Sequence, residues 1–138
     1  MTVTLDINVL LDVFQQRQPH FPESSRVVDM VVGGSLVGIF PSHGLTTLYY
    51  LVRKHGTRSG AEAAMDQVLK HFQIRGLDQA EWDQARKLTM DDFEDAAVAM
   101  VAQTSGSAFI ITRNTNDFGS SPVRAISPAD FLAMLAAT

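Results

Sequence analysis

The sequence predicts an α/β fold, a three-layer α/β/α sandwich around a central, mainly parallel sheet. Three observations carry that expectation. Strand-like and helix-like runs alternate along the chain. The two best strands, residues 3–5 and 108–112, are almost wholly apolar, as strands covered on both faces are. And 138 residues, 46% apolar and 19% charged, suffice for one domain, residues 1–138, with its own core.

Residues 3–5 form the first strand, which ends at Asp6. Residues 9–14 read as a helix with a polar end at 15–18, broken by Pro19 and Pro22. A second helix is expected from Ser24 or Ser25 to Val32, with Val27, Val28, Val31 and Val32 as its apolar face and Gly33-Gly34 as its stop. Residues 36–40 read as a buried strand. Pro41-Ser42 opens a helix to about His55, and a further helix runs from Ser59 or Gly60 to about His71. Residues 72–74 form a strand, and Asp78 caps a helix to about Lys87. Asp92 opens a helix ending near Gly106, followed by strand 108–112 and a short strand at 124–126. Ser127, Pro128 and Asp130 supply an N-cap, a proline at the first helical position and an acid at the third for the last helix. No internal repeat or low-complexity tract interrupts this order.

The formal charge of −4 argues against a domain that grips nucleic acid by a bulk positive field. It does not argue against an enzyme that gathers acids at one spot around a cation. Arg53, Lys54, His55 and Arg58 cluster, and read either as a solvated helix end or as a phosphate-contacting patch. The chain has no cysteine, which removes disulfides and thiolate metal sites and fits a cytoplasmic setting. No run approaches the roughly 20 apolar residues of a membrane span, and no charged leader precedes an apolar stretch, so neither span nor signal peptide is expected.

The acids fall in a pattern. Right-handed crossovers put all strand C-terminal ends on one edge, where ligands bind in open α/β folds. Asp6 follows the first strand and Asn8 comes two residues later. Thr112, Asn114 and Asp117 follow strand 108–112. Asp91, Asp92, Glu94 and Asp95 open the helix before that strand, and a crossover helix starts at that same edge. Three segments remote in sequence thus bring acids to one rim. Each has a plainer reading. Asp6-Ile7-Asn8 caps a helix, Asp92 and Asp95 form a capping pair, and Asp117 caps a turn. Four acids within residues 91–95 exceed what a cap needs. Like charges about 4 Å apart repel by about 4 kcal/mol at an effective dielectric of 20, so such crowding calls for a cation or a shared proton. An all-oxygen donor set suits Mg²⁺ or Mn²⁺. Asp12 reads as solvated. His20, His43, His55 and His71 show no metal-ligand spacing and read as surface or loop residues. Tyr49 and Tyr50 read as helix packing.

These residues resemble a known family. The segment Leu5-Asp6-Ile7-Asn8-Val9-Leu10-Leu11-Asp12 resembles the opening of PIN-domain nucleases, and Asp92-Phe93-Glu94-Asp95-Ala96 their acidic helix start. Ile110-Ile111-Thr112-Arg113-Asn114-Thr115-Asn116-Asp117-Phe118 resembles their third motif, and Ile126-Ser127-Pro128-Ala129-Asp130-Phe131-Leu132 their closing segment. The four stand in order over nearly the whole chain. The resemblance implies a PIN-like sandwich and a Mg²⁺ or Mn²⁺ site with Asp6, Asp92, Glu94, Asp95 and Asp117 as metal-binding acids. Of these, Asp6, Asp95 and Asp117 would be catalytic, with Asp95 or Asp117 orienting the water. Asn8, Thr112, Arg113 and Asn114 would support the site or the substrate phosphate. The implied reaction is hydrolysis of RNA phosphodiesters leaving a 5′ phosphate. VapC-type toxins of type II toxin–antitoxin pairs share this domain, so an antitoxin and a homodimer partner are implied too. Thr47 stands where many members carry a glutamate, and a hydroxyl is a weaker, neutral ligand. That departure supports an alternative reading, a PIN-fold module that binds RNA or a partner without catalysis. A haloacid-dehalogenase-type transferase would need an aspartate where Asn8 stands. A response-regulator receiver would need a lysine where Ser127-Pro128 stands, and no phosphate-binding glycine loop is present.

Overall fold

The computed structural model describes residues 1–138. The elements run β1 (Thr2–Leu5), α1 (Ile7–Phe14), α2 (Phe21–Val32), β2 (Val37–Pro41), α3 (Leu45–Lys54), α4 (Arg58–His71), β3 (Gln73–Arg75), α5 (Gln79–Lys87), α6 (Phe93–Thr104), β4 (Phe109–Ile111), β5 (Ala125–Ile126) and α7 (Pro128–Ala136). The five strands form one sheet in the order β3-β2-β1-β4-β5, with every pairing parallel. This is the α/β/α sandwich expected from the alternation of elements.

Side-chain alternation along the strands divides the core in two. Val3 and Leu5 of β1 and Ile111 of β4 join the larger cluster with Val9, Leu10, Val27, Leu48, Val68 and Phe131 from α1, α2, α3, α4 and α7. Ile110 faces the other way, into a smaller cluster with Val98, Ala99 and Ala102 of α6 and Phe118. Thr4 is fully buried between its core neighbours, and its hydroxyl is satisfied by Ser107 Oγ at 2.8 Å. Gly38 is required by space. A Cβ there would lie 2.7 Å from a Val31 methyl carbon and 2.8 Å from the Phe72 ring.

Caps fix the helix starts. Asp78 and Glu81 close a full capping box on α5, and Ser127 accepts from Asp130 N at the start of α7. Three expectations need correction. α2 begins at Phe21, so Pro22 lies inside its first turn, where its missing N–H costs nothing, instead of breaking the chain. The single helix expected from Pro41 to His55 is divided into a 3₁₀ turn, Ser42–Gly44, and α3. The Phe40 ring lies within 3.0 Å of where a Gly44 Cβ would stand, so the backbone passes directly over it. Asp12 is not solvated but fully buried. No helix is long and apolar enough to cross a membrane.

Candidate active site at the carboxyl edge of the sheet

The strand order reverses at β1. β2 lies on one side and β4 on the other, and the crevice at such a reversal is where open α/β sheets bind ligands. Asp6 leaves β1 into that crevice. It is the N-cap of α1, with Oδ1 accepting from Ile7 N at 2.8 Å. Its Oδ2 accepts the Thr112 hydroxyl at 2.8 Å and lies 3.4 Å from Asn8 Nδ2. Asn8 Nδ2 also reaches Thr112 Oγ1 at 3.3 Å, and Asn8 Oδ1 accepts from Arg113 N at 3.3 Å. The Thr112 hydroxyl in turn accepts from Asn114 N at 3.1 Å. Asp6, Asn8 and Thr112 are all buried, so the first motif and the β4 end form one hydrogen-bonded set across more than a hundred residues of chain. Burial raises the Asp6 pKa against the Thr112 and Ile7 hydrogen bonds that lower it, and the charges of Glu94 and Asp117 raise it further.

The other acids gather at the start of α6 and after β4, within electrostatic reach of Asp6. Asp92 caps α6, accepting from Asp95 N at 3.0 Å, so its plain reading as a cap holds in half; Asp95 makes no return bond. Asp91, Asp92, Asp95 and Asp117 line one cavity of about 330 Å³ with Asn116 and Ser120. Asp6 and Glu94 line a separate, smaller crevice with His43, Phe40 and Val98. The Asp95 pKa is pushed up to about 7, first by burial and then by the charges of Asp92, Asp6, Asp117 and Glu94. A carboxyl raised this far by burial and by surrounding carboxylates is the kind of perturbed group that functional sites gather.

The donor set is carboxylate, amide and hydroxyl oxygen, which fits a hard divalent cation. No three acidic or histidine side chains stand close enough to cage an ion unaided. Mg²⁺ and its like keep several waters and take only one or two carboxylates plus substrate phosphate, so this open arrangement fits their habit. Asp6 and Asp95 could contribute carboxylates to such an ion, with Glu94 and Asp117 within electrostatic reach of both.

Other expected residues stand apart. Thr47, on the first turn of α3, is exposed and does not line the acidic cavity. The Asn114 side chain is exposed; its backbone carbonyl accepts from Asp117 N at 3.0 Å. Arg113 turns away from the acids. Its Nε donates to Asp12 Oδ2 at 2.8 Å, and Ser24 Oγ donates to the same oxygen at 3.0 Å, joining the β4 end to α1 and α2. Arg53 and Lys54 end α3, which starts at the rim and runs away from it, so that patch does not border the acids. Tyr49 packs on the main core, whereas Tyr50 is 59% exposed.

Trp82 went unnoticed in the sequence, and nothing there marked His43 as more than a surface or loop residue. His43 sits in the turn directly after β2, half-buried against the Asp6–Glu94 crevice; burial lowers its pKa while Glu94 raises it. The same strand-end rule that picked out Asp6 would have found it. Trp82 packs between His43 and Phe93, a contact nothing in local sequence announces.

Known proteins agree with this architecture. Residues 2–116 match the model of one family, described as the PIN domain. The chain is similar to the solved VapBC2 structure from Rickettsia felis, bound to a promoter DNA fragment, at 15% identity and a TM-score of 0.70, covering 92% of this chain and 98% of that one. It is similar to a toxin–antitoxin complex from Klebsiella pneumoniae at 19% identity and a TM-score of 0.68, covering 91% and 97%. It is also similar to VapC20 of Mycobacterium tuberculosis, described as a sarcin–ricin loop cleaving toxin, at 15% identity and a TM-score of 0.64, covering 78% and 86%. No curated protein matches.

Proposed function

The chain belongs to the PIN-domain family, and on that premise we propose that it is a divalent-metal-dependent endoribonuclease that hydrolyses RNA phosphodiester bonds. The observation that carries the reading is the gathering of acids at the carboxyl edge of the sheet, where burial and then the charges of Asp92, Asp6, Asp117 and Glu94 push the Asp95 pKa up to about 7.

The chain's own part in the reaction follows from the geometry. Thr112 and Ile7 fix the Asp6 carboxylate by one hydrogen bond on each oxygen, so it meets a ligand without reorganising. Asn8 braces Thr112 and is itself pinned to the β4 end by Arg113 N. Asp95, whose side chain makes no hydrogen bond in the fold, is free to hold the ion or to orient the attacking water. Asp117, exposed in the lining of the cavity, would orient that water or hold the ion. A bound Mg²⁺ or Mn²⁺ would supply the positive charge that neutralises the phosphate and acidifies water. Asp6 and Asp95 would hold it. Attack of the water oxygen on phosphorus would break the bond to the 3′ oxygen, which takes up a proton, leaving a 3′ hydroxyl and a 5′ phosphate.

The test is cleavage of RNA with Mg²⁺ or Mn²⁺ by the wild-type chain and by Asp95→Asn. The variant should stay folded and lose the metal-dependent cut; full retained activity would refute the assignment. Exposed, neutral Thr47 favours a second reading, a module that binds RNA or a partner without cutting. A thermal shift with Mn²⁺ that disappears in Asp6→Asn favours the enzyme. Silence toward metal with tight RNA or peptide binding favours the module. We further propose an antitoxin partner, supported by similar structures described as toxin–antitoxin complexes. Pairing with a second copy is proposed on the exposed Val32, Tyr50 and Leu69, which such an interface would bury. A cytoplasmic setting is proposed from the absence of cysteine.

A further inference from the structure

Along one flank of the acid site runs a row of flat side chains. His43, in the turn after β2, packs edge-on against Trp82 of α5 at 5.8 Å and 67°. Trp82 packs on Phe93, the first residue of α6, at 5.6 Å and 54°. The Arg86 guanidinium lies 5.6 Å above the Phe93 ring. The row starts in the crevice that Asp6 and Glu94 line and ends in solvent, where Phe93 is 46% exposed between two acids of the motif. Arg86 is exposed and has no carboxylate partner, since the ion pairs of the fold are Arg58–Glu62 and Arg113–Asp12. Arg75, also exposed, ends β3 in register with Pro41, beside the His43 turn.

We propose that His43, Trp82, Phe93 and Arg86 form a stacking platform for one unpaired nucleobase next to the scissile phosphate, an inference that rests on the nuclease reading and names single-stranded RNA as its substrate. The chemistry favours a base over an apolar protein segment. Open aromatic faces and guanidinium planes are what unstacked bases bind. The two unpaired arginines give this flank a charge that suits a polyanion and contrasts with the acids beside it. Arg86 already lies over Phe93 and carries no other bond, so it can lift and cover the second face of an inserted base. Bases in a duplex present no free face, so paired RNA cannot use the row.

Trp82 is the only tryptophan, so its emission reports on the platform alone. The Asp95→Asn chain is titrated with a short mixed-sequence single-stranded oligoribonucleotide and with the same sequence as a duplex. The single strand should quench Trp82, and the duplex should do so weakly. Phe93→Ala should weaken single-strand binding about 5- to 100-fold, the range for one lost base stack, while Phe93→Tyr retains it. Equal binding by Phe93→Ala, equal quenching by duplex, or a Trp82 that responds to an antitoxin peptide but not to RNA would overturn the platform. Quenching by RNA in a wild-type chain that cuts nothing keeps the platform and overturns the nuclease; cutting with an unresponsive Trp82 does the reverse.

Discussion

Replacing Asp95 with asparagine should make the protein more stable at pH 8 while removing its proposed activity. Folding lifts the Asp95 pKa from 3.8 to about 7, by burial and by the surrounding acids. At 1.36 kcal/mol per unit, that displacement sets a ceiling of about 4 kcal/mol on the cost of ionising Asp95 in the fold. The side chain is only partly buried, so solvent screening reduces the figure to about 1–2 kcal/mol. The sign follows from proton counts. Below about pH 4 Asp95 is protonated folded or unfolded, and the variant gains nothing. Between about 4 and 7 the unfolded chain releases the proton that the folded chain keeps, so stability falls as pH rises. Above about 7 the penalty is complete. Asparagine forfeits no side-chain hydrogen bond, because Asp95 makes none. The assay is urea unfolding of both chains in a metal chelator at pH 4 and pH 8. The variant should match the wild type at pH 4 and exceed it by about 1–2 kcal/mol at pH 8. Adding Mn²⁺ should stabilise the wild type more than the variant, and more at pH 8 than at pH 6. A wild type at least as stable as Asp95→Asn at pH 8 without metal would show that the acids do not repel as described.

Two other substitutions separate support from chemistry. Arg113→Ala strands Asp12, which is fully buried and whose Oδ1 already lacks a partner; because the arginine side chain is 24% exposed, water can replace part of it, and the loss should be about 2–3 kcal/mol in urea unfolding. A loss below about 0.5 kcal/mol, the size of an ordinary surface change, would mean the pair does not hold α1, α2 and β4 together. Thr112→Val keeps the shape but removes the hydroxyl that Asp6, Asn8 and Asn114 N share; RNA cleavage should fall at least about tenfold, the worth of one lost hydrogen bond to a charged group, and Thr112→Ser should restore it.

The strand-end acids were legible because two physical rules suffice for them. Apolar runs such as residues 3–5 and 109–111 become buried parallel strands, and such strands share one functional edge. Asp12 was not legible. Its position on α1 looks like an exposed helical face until Arg113, about a hundred residues on, and Ser24 arrive to cover it. The same holds for Trp82, whose neighbours His43 and Phe93 come from separate elements on either side in sequence. The break before α3 escaped because Pro41-Ser42 looks like an ordinary helix start. The Phe40 ring beneath Gly44 decides it.

The central strand has a temporal consequence. β1 is made first, yet its neighbour β4 begins at Phe109, and the Asp6 carboxylate is braced by a hydroxyl 106 residues downstream. A nascent chain cannot pair these segments until most of it has emerged from the ribosome, and such distant pairings form slowly. A half-made copy therefore carries the first aspartate and its Ile7 bond but neither the Thr112 hydroxyl nor the acids of α6. An enzyme that cuts RNA would thus remain inert beside the machinery translating it until synthesis is nearly finished.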